Sequence, residues 1–461
     1  MTTAVVTPIL RQTGADEKHP KGLYVLFATE MWERFGFYSM LAMFTLYLQN
    51  PSQGFGWTAA QATSLYSNYM MFVYASPLIG GWLADRITGY RCAITIGGLL
   101  LAAGYMLLGF HSVTIMYCAL VLIVVGNGFF KPNVSTMVGN LYPDGSRLKD
   151  SAYNFFYMGI NIGAFIAPIA SETVMQRYGY HRAFSMAGAG MIVSLVVFWG
   201  LRRLVVGRDK GIAQDVPGDP ASLPRPSSMD AVSDSRRVTA LIVIFLIVVV
   251  FWMIFHQNFS TLTYWANDNT NWIAAPIILE LAHFLTLGTV KPDLGNVSGV
   301  ISNAIDPFWI VVLTFPLVGF WRWLARKGKE PSTPAKMTVG MFLTAGAFYL
   351  MVLAALSGGD GGKVSPWWLI SAYGVIALGE LMLSPMGLSL VSKVAPARMR
   401  GLMMGGWFVA TAIGNKLTAI GVYWQVWKHS SFFFVLATLA LITGLVLFVL
   451  LKPLKKAMPG A

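Results

Sequence analysis

Charge is scarce in this chain: Asp, Glu, Lys and Arg make up 11% of its 461 residues, against about 25% in ordinary soluble domains. With 56% of side chains hydrophobic, that shortage excludes a solvated globular fold. Cysteine is scarcer still. Cys92 and Cys118 lie in separate apolar runs at no metal-ligand spacing, which leaves no disulfide scaffold or thiolate metal site and predicts buried, inert thiols. The tail before the first apolar run is polar, that run carries charges, and no small-residue cleavage site follows, so no removable signal peptide is expected. No phosphate-binding glycine loop, metal cluster or Ser/His/Asp set with an aqueous setting occurs. An enzyme is not expected, and neither is a cofactor or a metal.

What is present is apolar length. Runs of about 20 residues or more, enough for a helix to cross a bilayer, fall near 23–49, 58–84, 91–110, 113–141, 152–174, 182–203, 238–265, 298–321, 337–357, 366–394, 400–425 and 430–451. They predict an all-α membrane protein with twelve transmembrane helices. The longest polar stretch, 204–237, includes VPGDPASLPRPSS and reads as a flexible cytoplasmic linker without extra spans. It separates a six-helix bundle at 23–203 from a second at 238–451, with tails at 1–22 and 452–461.

Lys and Arg concentrate on the cytoplasmic side of membrane proteins. With the N-terminus inside, the inner segments hold 25 of the 33 and the outer loops five: Arg177, Arg182, Lys291, Lys363 and Lys428. Arg34, Lys131 and Lys416 remain within spans. Both termini are therefore expected in the cytoplasm. The net charge of +13 is a topology signal divided among seven segments, and no nucleic-acid partner is expected.

The two halves echo each other. GNGFFKP in the fourth span and GELMLSP in the tenth both place Gly six residues before Pro, Gly126/Pro132 and Gly379/Pro385. GWLADRITGYR after the second span has a fainter copy, GFWRWLARKGK, after the eighth. Gly and Pro are common in membrane helices, but paired interruptions at equivalent positions point to a transporter site between repeats. Each of these helices also carries an ionisable residue, Lys131 and Glu380.

Residues 28–40, ATEMWERFGFYSM, set Glu30, Glu33 and Arg34 in an apolar run, at ~2.5–3.5 kcal/mol each on insertion scales. The spacing i, i+3, i+4 puts them on one helical face, which Tyr38 continues. At about 1.5 Å per residue, Glu30 lies ~12 Å, Glu33 ~16 Å and Lys131 ~15 Å from the cytoplasmic ends of their spans, with Glu380 at ~21 Å. All four charges of the first half can meet in one layer. The span acids Glu30, Glu33, Asp306 and Glu380 exceed the bases Arg34, Lys131 and Lys416 by one, a mismatch that a single proton removes. Such charges can also simply bolt helices together. Bases on one half facing an acid on the other suit a zwitterion.

GGWLADRITGYR resembles the signature between the second and third spans of the major facilitator superfamily, which implies that Asp85, Arg86 and Arg91 pair at a cytoplasmic gate. E30-MW-E33-R34-F35-G36-F37-Y38 resembles the ExxERFxYY motif of the proton-dependent oligopeptide transporter (POT/PTR) family. GNGFFKPNVS (126–135), FYMGINIGAF (156–165), GELMLSPMGL (379–388) and GGWFVATAIGN (405–415) are similar to further family segments, so the resemblance spans nearly the whole chain. It implies a major facilitator fold and proton-driven import of di- and tripeptides by alternating access. Arg34 and Lys131 would face the peptide carboxylate, with Glu30 and Glu33 coupled to Lys131 and the proton. Glu380 would face the amino group and Asn161 the peptide backbone, while Tyr38, Tyr74 and Trp407 line the cavity. Protons would be the coupling ion, and a monomer in a bacterial-type inner membrane is expected.

Three departures touch these roles. Phe37 replaces the first Tyr of the YY pair, and Asp306 in SNAIDP stands where the family usually has Asn. His256 in FWMIFHQN stands where many members have a Glu, whose Arg partner in the first span is here Leu41. His256 (~27 Å) and Asp306 (~24 Å) lie at similar depth on consecutive spans. Either His256 is a neutral polar filler bonded to a backbone carbonyl, or His256 and Asp306 replace the missing pair as a protonatable outer gate. Transport of another small anion or zwitterion, and a membrane receptor that binds without transporting, remain the alternatives.

Overall fold

The computed structural model describes residues 19–142, 148–205, 232–274, 280, 297–396 and 399–459. The greater part of the 204–237 linker, with most of the loop carrying Lys291, lies outside them. The described residues form α1 (Lys21–Gln49), α2 (Ala59–Leu83), α3 (Tyr90–Leu107), α4 (Val113–Asn140), α5 (Leu148–Tyr178) and α6 (Tyr180–Gly200). A second set follows: α7 (Asp234–Asp268), α8 (Gly299–Arg326), α9 (Thr333–Ser357), α10 (Pro366–Val394), α11 (Arg400–Leu417) and α12 (His429–Ala457). Among the described residues, nine of these helices are long and apolar enough to span a bilayer. The other three, α1, α2 and α11, run 29, 25 and 18 residues and bury charged or polar side chains instead.

Local signals fix where the helices begin and turn. Thr58 accepts from the Gln61 N–H while Gln61 Oε1 accepts from the Thr58 N–H, a reciprocal cap at the start of α2. Gly89 (φ 71°) and Gly179 (φ 81°) make the tight joints between α2 and α3 and between α5 and α6, in a backbone region closed to most side chains. Helix α7 breaks in a tight turn at His256–Phe259 before resuming at Thr261, and α8 opens with a similar turn at Gly299–Ala304. Irregular backbone at membrane depth survives only where protein satisfies it. Here Gln257 Nε2 donates to Met253 O (3.1 Å) and Thr418 O (3.2 Å), and Thr263 Oγ1 donates to Asn258 O (2.6 Å).

Helix packing repeats with a shift of six. In the first set α1 packs on α5 and α6, α3 on α4 and α6, and α2 on α4; in the second α7 packs on α11 and α12, α9 on α10 and α12, and α8 on α10. The glycines of the sequence echo make two of these contacts. A Cβ on Gly126 would lie 2.8 Å from the Gly97 carbonyl oxygen of α3, and one on Gly379 would lie 2.9 Å from that of Gly340 on α9. The echo therefore marks the same close crossing in both halves. We expect Gly126→Ala to lower stability by about 1–3 kcal/mol, the usual cost of overpacking, read as a fall in melting temperature. Gly346→Ala, with open space around it, serves as the control that leaves the melting temperature unchanged or raises it.

Both cysteines are exposed on the flanks of α3 and α4, contrary to the expectation of buried thiols. An apolar span has one face on protein and one on lipid, and composition does not distinguish the two.

Between α9 and α10, Asp360 takes a left-handed conformation (φ 66°), and its carboxylate accepts from the Ser430 N–H (2.7 Å) at the start of α12. Burial pushes this carboxyl up, but the Ser430 bonds and the Lys428 and His429 charges outweigh it and hold it below the usual carboxylate range. A depressed folded value means stability that is present above the unfolded pKa of about 3.9 and lost as pH falls through the folded one. Asp360→Asn should therefore melt below wild type at pH 7, with the two curves converging below about pH 3.

Candidate substrate-binding and proton-coupling site

The charges of α1 are buried and paired: Glu30, Glu33 and Arg34 are 1%, 0% and 2% exposed. Arg34 grips Glu33 with two bonds, Nε to Oε2 at 2.5 Å and Nη2 to Oε1 at 2.7 Å. Its Nε is 3.3 Å from Glu30 Oε1, while Glu30 Oε2 has no hydrogen-bond partner. The two glutamates are thus unequal. Glu33 orients the guanidinium, which also lies 4.9 Å from the Phe37 ring, and Glu30 keeps an oxygen free. Asn127 of α4 completes the mount, its Oδ1 accepting from Arg34 Nη2 (3.4 Å) and its Nδ2 donating to Val73 O (2.9 Å). Lys131, one turn along α4, sets its ammonium 4.7 Å from the Tyr74 ring and acts electrostatically on Glu30 and Arg34. One basic pole results, on α1, α2 and α4.

An acidic pole faces it from the second set. Glu380 of α10 and Asp306 of α8 interact electrostatically with each other, and Tyr38 and Tyr157 feel both. Tyr38, Tyr74, Lys131, Tyr157 and Glu380 are half-buried, as residues around an open space are. Asn161 donates to Tyr157 O (2.9 Å), and Trp407 is buried against Phe245. The Phe37 departure thus meets Arg34 through its ring, and Tyr38 stacks on Phe259 (5.9 Å).

The geometry does not join His256 to Asp306. His256 stacks on Trp252 (4.8 Å), tilts against Tyr74 (5.6 Å), and feels Lys131 and Asn415, while Asp306 belongs with Glu380. Among the described residues no ion pair links the two. Equal depth along a helix leaves its rotation undetermined, and the turn at His256 swings the ring toward α2. The gate residues expected from the sequence meet first-set partners among the described residues. Asp85 accepts from the Tyr90 hydroxyl (2.8 Å), Arg86 covers Trp82 (5.3 Å) and Arg91 covers Trp199 (6.0 Å).

Two residues escaped the sequence reading. Asn127 was visible as an amide within an apolar span. Glu172 lies inside the fifth span, so the span acids number five against three bases. A groove of about 800 Å³ beside α2 and α4, lined by Trp57, Asn68, Phe72 and Tyr117 among others, does not include Arg34 or Lys131.

Two helix sets related by a shift of six, with opposite charges facing across them, define a membrane transporter. The profile of the POT family (PTR2) matches residues 91–219 and 222–435. The chain is 31% identical to the di-/tripeptide transporter of Lactococcus lactis subsp. cremoris, over 95% of this chain and 96% of that protein. It is 30% identical to dipeptide and tripeptide permease A of Salmonella typhimurium, over 86% and 83% of the two. Its fold superposes on a crystal structure of a mutant peptide transporter POT in complex with alafosfalin, with a TM-score of 0.82, 29% identity and 97% of each chain covered. The chain belongs to the POT family.

Proposed function

We propose that this protein is a proton-coupled symporter that imports di- and tripeptides by alternating access. The observation that carries this reading is the pairing of a basic pole, Arg34 and Lys131 on the first helix set, with an acidic pole, Glu380 and Asp306 on the second. An extended zwitterion bridges them, its carboxylate taken by the Lys131 ammonium beside the Arg34 charge and its ammonium by Glu380. Asn161 bonds the peptide backbone, and Tyr38, Tyr74 and Trp407 form the walls. Glu30, with its unpartnered oxygen, takes the coupling proton, and Glu33 holds Arg34 in place.

Among the described residues, hydrogen bonds that join the two sets lie toward the end away from the termini, including Thr45 to Phe259 O (3.1 Å), Thr63 with Tyr264 (3.0 Å), Tyr66 to His256 O (3.1 Å) and Lys416 to Asn68 (2.5 Å). With the termini in the cytoplasm, as the Lys and Arg distribution supports, this is the outer end, held shut. Location in a bacterial-type inner membrane as a monomer among lipids is part of the same reading.

Uptake of a labelled dipeptide into proteoliposomes tests it. Accumulation should require an inward proton gradient and collapse with an uncoupler. Accumulation of another small zwitterion but no dipeptide would favour the related facilitator, and binding without uptake would favour a receptor.

A further inference from the structure

Glu172, near the far end of α5, is 5% exposed and sits on the seam between the two helix sets. Its Oε1 accepts from the Ser298 N–H (2.7 Å) and from Gln176 Nε2 (2.7 Å), and its Oε2 accepts from Ser298 Oγ (2.5 Å). Ser298 is the cap of α8, where its Oγ also accepts from the Val300 N–H (3.2 Å). One carboxylate of the first set therefore caps the N-terminus of a helix in the second.

Among the described residues the groups around it are few. Helix α5 presents Gln176, and the start of α6 presents Tyr180, which feels Glu172 electrostatically. From the second set come Ser298 and Gly299. The Gly299 N–H donates to Asn267 Oδ1 (3.1 Å), and Asn267 in turn donates to the Asp268 carboxylate (2.8 Å). No ion pair to Glu172 occurs among the described residues. All three partners of Glu172 are donors, an arrangement that matches the acceptor-only, ionised carboxylate. A proton on either oxygen points an O–H at an existing donor, and only the Ser298 hydroxyl can turn to receive it, by giving up its own donation. Bonds to an ionised acceptor are about twice as strong as neutral ones.

We propose that Glu172 is a proton-operated latch. Ionised, it ties α5 to the cap of α8 and keeps the end away from the termini shut; protonated, it releases α8 and lets that end open. The latch rests on the alternating-access reading, in which that end faces the proton-rich side. It does not depend on which substrate is carried.

The test reads conformation and not uptake, so its failure is distinct from a failure of peptide transport. In full-length protein with Cys92 and Cys118 replaced by Ser, spin labels at Ser52→Cys and Gln425→Cys straddle the end concerned. Pulsed electron-electron distances are measured in substrate-free nanodiscs at pH 8 and pH 5. Wild type should gain a longer-distance population at pH 5. Glu172→Gln, a fixed neutral side chain, should show that population at pH 8, raised about fivefold or more as the loss of a charge-assisted bond implies, and should not respond to pH. Ser298→Ala, which keeps the acid and removes one donor, should show a smaller rise at pH 8 and a retained pH response. A Glu172→Gln protein that keeps the wild-type pH response, or stays closed at both pH values, overturns the latch.

Discussion

Lys131→Ala should abolish concentrative, gradient-driven uptake, with initial rates at least about a hundredfold below wild type. Its ammonium is one of two cations in the basic pole, and the other, Arg34, is already committed to Glu33 by two bonds. Removing Lys131 leaves Glu30 with only the 3.3 Å approach of Arg34 and strips the pocket of a carboxylate anchor. Truncating one partner of a desolvated charge pair, here the one Lys131 makes with the peptide carboxylate, costs about 2–5 kcal/mol, and the middle of that range corresponds to more than a hundredfold. Glu30→Gln serves as its partner experiment, removing the proton site while leaving both cations. It should lose gradient-driven accumulation yet retain peptide counterflow, which needs no net proton movement. Normal accumulation by a well-folded Lys131→Ala protein would remove Lys131 from the mechanism.

The second large effect is expected at the opposite pole. Glu380→Gln should weaken dipeptide binding by about 2–5 kcal/mol, the cost of truncating one partner of a desolvated charge pair, measured by competition against a labelled dipeptide. Analogues lacking the amino group should change by less than about twofold, since they present no ammonium. Asp306 sets the limit on this selectivity. It shares the pole with Glu380, so Asp306→Asn in the Glu380→Gln background should deepen the loss for dipeptides only. Equal losses for peptide and analogue would show that Glu380 does not read the ammonium.

Legibility in the sequence followed the kind of interaction involved. The i, i+3, i+4 spacing of Glu30, Glu33 and Arg34 is a property of one helix, and the structure keeps all three on one face with Arg34 bonded to both acids. Spacing gave no sign that Glu33 would hold Arg34 bidentately while Glu30 kept an oxygen free, because that asymmetry depends on Asn127 from another helix. The Gly126/Gly379 echo was readable as a repeat. Its physical content, a close crossing with Gly97 and Gly340, appears only when α3 and α9 are in place.

What the sequence alone determined is the apolar length of the spans, the asymmetry of Lys and Arg between their ends, and the motifs that identify the family. Each is carried by a single segment, through hydrophobic transfer, local charge or helical period, and needs no partner. Tertiary structure alone decided which buried groups face one another. His256 and Asp306 share a depth, yet the turn at His256–Phe259 rotates the imidazole onto Trp252 and Tyr74 and leaves Asp306 to Glu380. Glu172 finds its partner Ser298 126 residues away. Pairings of this kind depend on helix rotation and on the docking of the two sets, which are set by side-chain packing over the whole bundle.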